Sequence, residues 1–281
     1  VSAGLGEVTE ERIDGSAGEL FVRGWRPPGP PRAVLAVCPG FRSHAGHYAW
    51  VGGQLATQGI AVYAVDLRGR GRSAGARSYV EDFADYVDDL GRLVAHVAAQ
   101  HPGVPRFLLG HSAGGVVACL YALAHPAALQ GLVCESVAFR VPAPDVALAV
   151  IKGVSHFVPH AHALTLNPQD FSRDPAVVEA MRADPLIADE SEPFATVAAL
   201  VRADELVAGA FARITLPLLI VHGEADRAAK PEGSRRLHAE AGSTDKTLRL
   251  YPGRFHDPLN DVGRDEVLAD LGRWLVERSG G

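Results

Sequence analysis

Ser112 lies in the stretch Gly110-His111-Ser112-Ala113-Gly114-Gly115, between an apolar run, Phe107 to Leu109, and a helical-looking run, Val116 to Leu123. Strand, glycine-flanked serine, helix is the context in which a serine hydroxyl is held out on a sharp turn as a nucleophile, with small neighbours because larger side chains would clash. A helix amino terminus directly after the serine offers free N–H groups and partial positive charge to a developing oxyanion. A turn that merely needs small residues has the same local pattern, so partners elsewhere must decide. A serine hydroxyl needs a base within hydrogen-bond reach and a carboxylate to fix that base's tautomer. Asp226 follows the apolar run Leu218 to Val221, and His256 follows the run Thr247 to Tyr251 through Pro252-Gly253-Arg254-Phe255. Each of the three residues thus falls just past a predicted strand, in the order Ser112, Asp226, His256.

The elements that must position them alternate along the chain. Glu19 to Trp25 has early-strand character and is ended by Pro27-Pro28-Gly29-Pro30-Pro31. Ala33 to Cys38, Ile60 to Val65, Phe107 to Leu109, Leu132 to Cys134 and Leu218 to Val221 are short continuous apolar runs, as strands buried on both faces of a parallel sheet must be. Between them, Phe83, Val87, Leu90, Val94 and Val97 recur at helical spacing, and Val262 to Val276 closes the chain as a helix. The alternation predicts a doubly wound α/β fold with its site at the carboxyl ends of the strands. Residues 137–213 break the rhythm with helical apolar segments, Val146 to Ile151 and Thr196 to Val201, and with prolines at 159, 168, 175, 185 and 193. This interval is read as a helical cap inserted into a core formed by residues 1–136 and 214–281.

Composition narrows the partners. The 281 residues carry 27 basic and 33 acidic groups, a formal charge of −6, so nucleic acid is not expected. Cys38, Cys119 and Cys134 each lie in an apolar segment and read as buried free thiols, which favours a reducing compartment. Residues 1–15 are acidic and broken by glycine, unlike a signal peptide, and a cytoplasmic setting is the expectation. Gly69 to Gly75 lacks the ending and spacing of a phosphate loop and reads as a charged turn. His156, His160 and His162 read as cap polar residues, so no metal or other cofactor is expected.

Pro39 to Gly46, Asp66 to Ser73, Gly110 to Gly115, His222 to Asp226, Gly242 to Thr247 and His256-Asp257 together resemble the landmarks of the α/β-hydrolase superfamily, and within it the monoacylglycerol lipase and lysophospholipase group. The resemblance runs from Ala33 to the carboxyl end and is least distinct in the cap. It implies an α/β-hydrolase fold and a serine hydrolase acting on acyl esters, with Ser112 as nucleophile, His256 as base, Asp226 as its orienter, and the backbone amides of Phe41 and Ala113 as the oxyanion hole. Pro39 replaces the histidine common in that group before the oxyanion-loop glycine, which bears on the loop's support but leaves the Phe41 amide in place. Ser43 and His44 are candidates to meet a substrate head group. Val146, Val150, Val154 and Phe157 are candidates to line an acyl pocket or touch a lipid surface, with cap packing as the plain alternative. Glu135, His111 and Asp257 compete for roles beside the histidine and are read as a hinge carboxylate, an elbow packing residue and a loop carboxylate. Two other readings stay open: a non-catalytic binding protein on the same fold, and an amidase or peptidase using the same three residues.

Overall fold

A computed structural model describes residues 6–139 and 151–280. Its main sheet has eight strands in the order β1-β2-β4-β3-β5-β6-β9-β10. The strands are β1 (Glu7–Gly15), β2 (Gly18–Arg26), β3 (Ala33–Cys38), β4 (Ile60–Val65), β5 (Arg106–His111), β6 (Gly131–Glu135), β9 (Leu218–Gly223) and β10 (Lys246–Tyr251). From β4 to β10 the pairing is parallel throughout, while β2 joins β4 antiparallel and carries β1 as a hairpin at the edge. Strands β3, β4 and β9 are buried at every residue, which is why they read as unbroken apolar runs.

Alternation within each strand divides the core in two. Val34, Ala36 and Cys38 face a cluster that includes Leu90, Leu93, Val94 and Val97 of α2 (Phe83–Gln100) and Val116 to Cys119 of α3 (Ala113–Ala124). Ala33, Leu35 and Val37 face the other cluster, with Val51 and Leu55 of α1 (Ala49–Thr57). Helix α2 starts where Asp82 caps the Ala84 amide at 2.9 Å, and each fully buried Leu or Val it supplies contributes roughly 1.5–3 kcal/mol.

Between β6 and β9 the described chain forms β7 (His162–Leu164), α4 (Pro175–Ala183), β8 (Glu192–Pro193) and α5 (Phe194–Ala208). Strands β7 and β8 form a small antiparallel ribbon, so the interval is not purely helical as its spacing suggests. The ribbon is only two to three residues long and includes Pro193, so no alternating pattern marks it. Helix α5 packs on α3, and its Ala199, Leu200 and Ala203 belong to the main core. The chain ends through α6 (Pro231–Glu240) and α7 (Arg264–Arg278), with Leu271, Trp274 and Leu275 of α7 in the second cluster. Cys38, Cys119 and Cys134 are buried and unpaired by disulfides. No helix among the described residues is long and apolar enough to cross a membrane.

Candidate active site

The turn from β5 into α3 holds Ser112 at φ 54° and ψ −121°, a left-handed conformation costly for a residue with a side chain. Three backbone bonds maintain it: the Ser112 N–H donates to the Glu135 carbonyl at 2.9 Å, and its own carbonyl accepts from Gly115 (3.0 Å) and Ala138 (3.3 Å). Gly114 has no room for a side chain, because a Cβ there would stand 2.2 Å from the Cys38 carbonyl oxygen. Gly40 is equally confined, its would-be Cβ lying 2.8 Å from Ser112 Cβ, and this contact brings the loop after β3 against the serine.

His256 Nε2 lies 2.8 Å from Ser112 Oγ, and His256 Nδ1 lies 2.7 Å from Asp226 Oδ2. With Nδ1–H donating to the carboxylate, Nε2 is the acceptor for the serine proton. Backbone contacts fix the ring's position: the His256 N–H donates to the Asp170 carbonyl at 3.3 Å, and the His256 carbonyl accepts from His111 Nε2–H at 3.1 Å. Phe171 packs edge-on against the ring, with centroids 5.1 Å apart. Asp226 Oδ1 accepts the amides of Ala228 (2.8 Å) and Ala229 (3.0 Å), leaving Oδ2 for histidine. Burial by itself would raise the Asp226 carboxyl, but the His256 ring and the hydrogen bonds from His222 and His256 hold it well below the usual carboxylate range. The serine, base and carboxylate are therefore linked with the carboxylate ionised.

His222 is a supporting residue that sequence reasoning passed over. Its Nε2 lies 3.0 Å from Asp226 Oδ2 and 3.1 Å from the Ala229 carbonyl, while Nδ1 takes the Ser234 hydroxyl at 2.7 Å. Since both Nε2 neighbours are acceptors, Nε2 carries the proton and His222 steadies the carboxylate. The available signal was its place at the end of β9, four residues before Asp226. The three competitors are engaged elsewhere. Glu135 Oε1 accepts the Leu259 amide at 3.1 Å, and burial, with Asp257 nearby, raises its carboxyl. Asp257 accepts from Asn260 at 2.9 Å, and His111 is buried, its pKa lowered by desolvation to about 4.

Phe41 follows Pro39-Gly40, and Ala113 is the first residue of α3. Neither backbone amide donates to another group among the described residues. Ser43 and His44 are buried and committed to neighbours: Ser43 Oγ lies 3.2 Å from His47 Nδ1, and His44 Nε2 lies 2.7 Å from Asp184 Oδ2. His44, His47 and Asp184 form the one set among the described residues with metal-ligand spacing. Because His44 Nδ1 accepts the Gly46 amide at 3.0 Å, its Nε2 holds a proton and donates to Asp184, so the set does not fit a metal. Within the charged turn Arg72 is exposed, but Arg70 is only 2% exposed and pairs with Glu190 and Glu192.

A cavity of about 410 Å³ is lined by Leu164, Leu166, Phe171, Val197, Leu200 and Val201 among others, Phe171 being the residue that packs on the His256 ring. It reaches Ala138, which bonds the Ser112 carbonyl, and Ala228, which bonds Asp226. Val154 is half-buried outside this lining, and Phe157 is 87% exposed. Val146 and Val150 lie outside the described residues.

A family model described as serine aminopeptidase, S33, matches residues 29–263. A monoacylglycerol lipase of Mycolicibacterium smegmatis is 36% identical over 90% of this chain and 91% of its own length. The monoglyceride lipase of Homo sapiens is 32% identical over 92% of this chain and 88% of its own. Among solved structures, the monoacylglycerol lipase of Paleococcus ferrophilus superposes with a TM-score of 0.83 at 28% identity, covering 92% of this chain and 99% of that one.

Proposed function

From the premise that the chain belongs to the serine aminopeptidase S33 family of α/β-hydrolases, among its monoacylglycerol lipase-like members, we propose that Ser112, His256 and Asp226 form a catalytic triad acting on monoacylglycerols and similar acyl esters. The chain is a carboxylic ester hydrolase of the serine type. The observation that carries the residue assignment is the continuous link from Ser112 Oγ through His256 to Asp226 at 2.8 and 2.7 Å.

His256 Nε2 takes the hydroxyl proton as Ser112 Oγ bonds to the ester carbonyl carbon. The negative charge that develops on the carbonyl oxygen is met by the amides of Phe41 and Ala113, an arrangement worth about 10²–10³-fold per donor in related chemistry. Collapse of the tetrahedral species breaks the bond to the alcohol oxygen, which leaves with the proton from His256. Water then attacks the acyl-serine by the same route, with His256 as base, releasing the acid and restoring the serine. The apolar cavity, of a size that suits a small ligand, takes the acyl chain. Exposed Phe157 and Val158 give the cap an apolar tip that meets a lipid surface.

Hydrolysis of p-nitrophenyl esters and of 1-monoacylglycerol by the wild type and by Ser112→Ala tests the reading. Loss of turnover in the variant is expected, and equal rates would refute it. Aminoacyl amides assayed alongside should be cleaved far more slowly than esters.

A further inference from the structure

Arg42, the residue after Phe41, has φ 54°, so a non-glycine residue is held in the left-handed region immediately beyond one of the two proposed oxyanion donors. Its backbone N–H donates to Glu190 Oε1 at 2.5 Å, and its guanidinium donates to the carbonyls of Leu166 (3.0 Å), Ala188 (3.0 Å) and Glu190 (3.3 Å). The same Glu190 oxygen accepts from Arg70 Nη1 at 2.6 Å. Arg70 is paired at its other end with Glu192 Oε2 at 2.7 Å, and its guanidinium carbon stands 4.2 Å from the centre of the Phe41 ring. Thus both the ring of Phe41 and the peptide that follows it are held by groups anchored on Glu190 and Glu192, which lie in the interval between β6 and β9.

We infer that Glu190 is a positioning residue for the oxyanion loop: by holding the strained Arg42 backbone, and through Arg70 the ring of Phe41, it fixes Phe41 from its carboxyl side and its side chain so that the Phe41 N–H, carried by the preceding Gly40–Phe41 peptide, faces the reacting carbonyl. The inference rests on the proposed ester hydrolysis at Ser112. Without the Glu190 acceptor, Arg42 relaxes toward negative φ, Phe41 shifts with the loop, and its own N–H, on the Gly40–Phe41 peptide, is misaligned as an oxyanion donor. Glycine carries no such conformational penalty, so a glycine at position 42 lets the loop keep its turn unaided.

The test compares steady-state kinetics on a soluble ester with thermal midpoints. Glu190→Ala should lower kcat by about 10–100-fold, up to the loss of one donor, with KM changed less than about 3-fold. Glu190→Gln keeps an acceptor oxygen in place and should recover most of that kcat. In the Glu190→Ala background, Arg42→Gly should raise kcat by about 10-fold even though removing the guanidinium clamp lowers the midpoint further. Unchanged kcat in Glu190→Ala, or a kcat that falls again with the midpoint in the double variant, overturns the inference. If Glu190→Ala does not fold, Glu190→Asp replaces it, withdrawing the oxygen while keeping the charge; a lower kcat at constant KM supports the inference and an unchanged kcat overturns it. If the wild type hydrolyses no ester, the proposed function has failed. The rate of Ser112 phosphonylation by a fluorophosphonate, which also places an oxygen against the Phe41 amide, then carries the same comparison.

Discussion

Replacing Asp226 with asparagine should disable the base by a route the surrounding hydrogen bonds dictate. Oδ1 accepts two backbone amides, Ala228 at 2.8 Å and Ala229 at 3.0 Å, and can be replaced only by the amide oxygen of asparagine. The side-chain NH₂ must then occupy the Oδ2 position, facing His256 Nδ1 and His222 Nε2. A donor facing Nδ1 selects the tautomer protonated at Nε2, so the ring presents N–H to Ser112 and cannot take its proton. The analogous substitution in the chymotrypsin-type triad lowers kcat about 10⁴-fold, and a fall of about 10³–10⁴, or roughly 4–5.5 kcal/mol of transition-state stabilisation, is expected here. The assay is kcat for a p-nitrophenyl ester from pH 6 to 10, with far-ultraviolet circular dichroism to confirm folding. A folded Asp226→Asn protein retaining kcat within about 10-fold of wild type would refute the argument from tautomer selection.

Three further outcomes are expected. Val197→Phe narrows the acyl cavity, and kcat/KM for a long-chain ester should fall by about 10-fold or more relative to an acetyl ester, as competition between the two substrates would show. His111 is held neutral, with burial lowering its pKa from 6.5 to about 4. The unfolded chain takes up this proton near pH 6.5 and the folded one does not, so the contribution is whole above 6.5 and is lost as pH falls toward 4. The loss is on the order of 3 kcal/mol, and urea midpoints of wild type and His111→Gln should converge across that window. Gly114→Ala places a methyl against the Cys38 and Pro39 carbonyls; the variant should lose Ser112 labelling by a fluorophosphonate or fail to fold, and a fully labelled, stable variant would contradict the packing described.

The parallel strands were legible because burial on both faces forces continuous apolar runs. Ser112 and Asp226 stood out because each follows such a run, and His256 because it follows the edge strand Thr247 to Tyr251 through a Pro-Gly turn. Strand β1 was not legible: most of its residues are exposed or half-exposed at the sheet edge, so its sequence is polar and carries no core pattern. The residues around the site were hidden for a different reason. Glu190 lies 148 residues from Arg42 and 120 from Arg70, and no local spacing announces a pair made across that distance. Arg70 looked like a turn arginine because sequence cannot show that two carboxylates meet it in the interior. His222 entered only as the first residue of the His222 to Asp226 stretch, and only the fold shows its ring turned onto Asp226.

The central claim is that acyl transfer passes through Ser112. Rapid mixing with a p-nitrophenyl ester, acid quench and mass spectrometry of the peptides tests it most directly. The account predicts an added acyl mass on the peptide containing Ser112 that is absent from Ser112→Ala. Turnover with no such adduct, or with the acyl group on another residue, would contradict it.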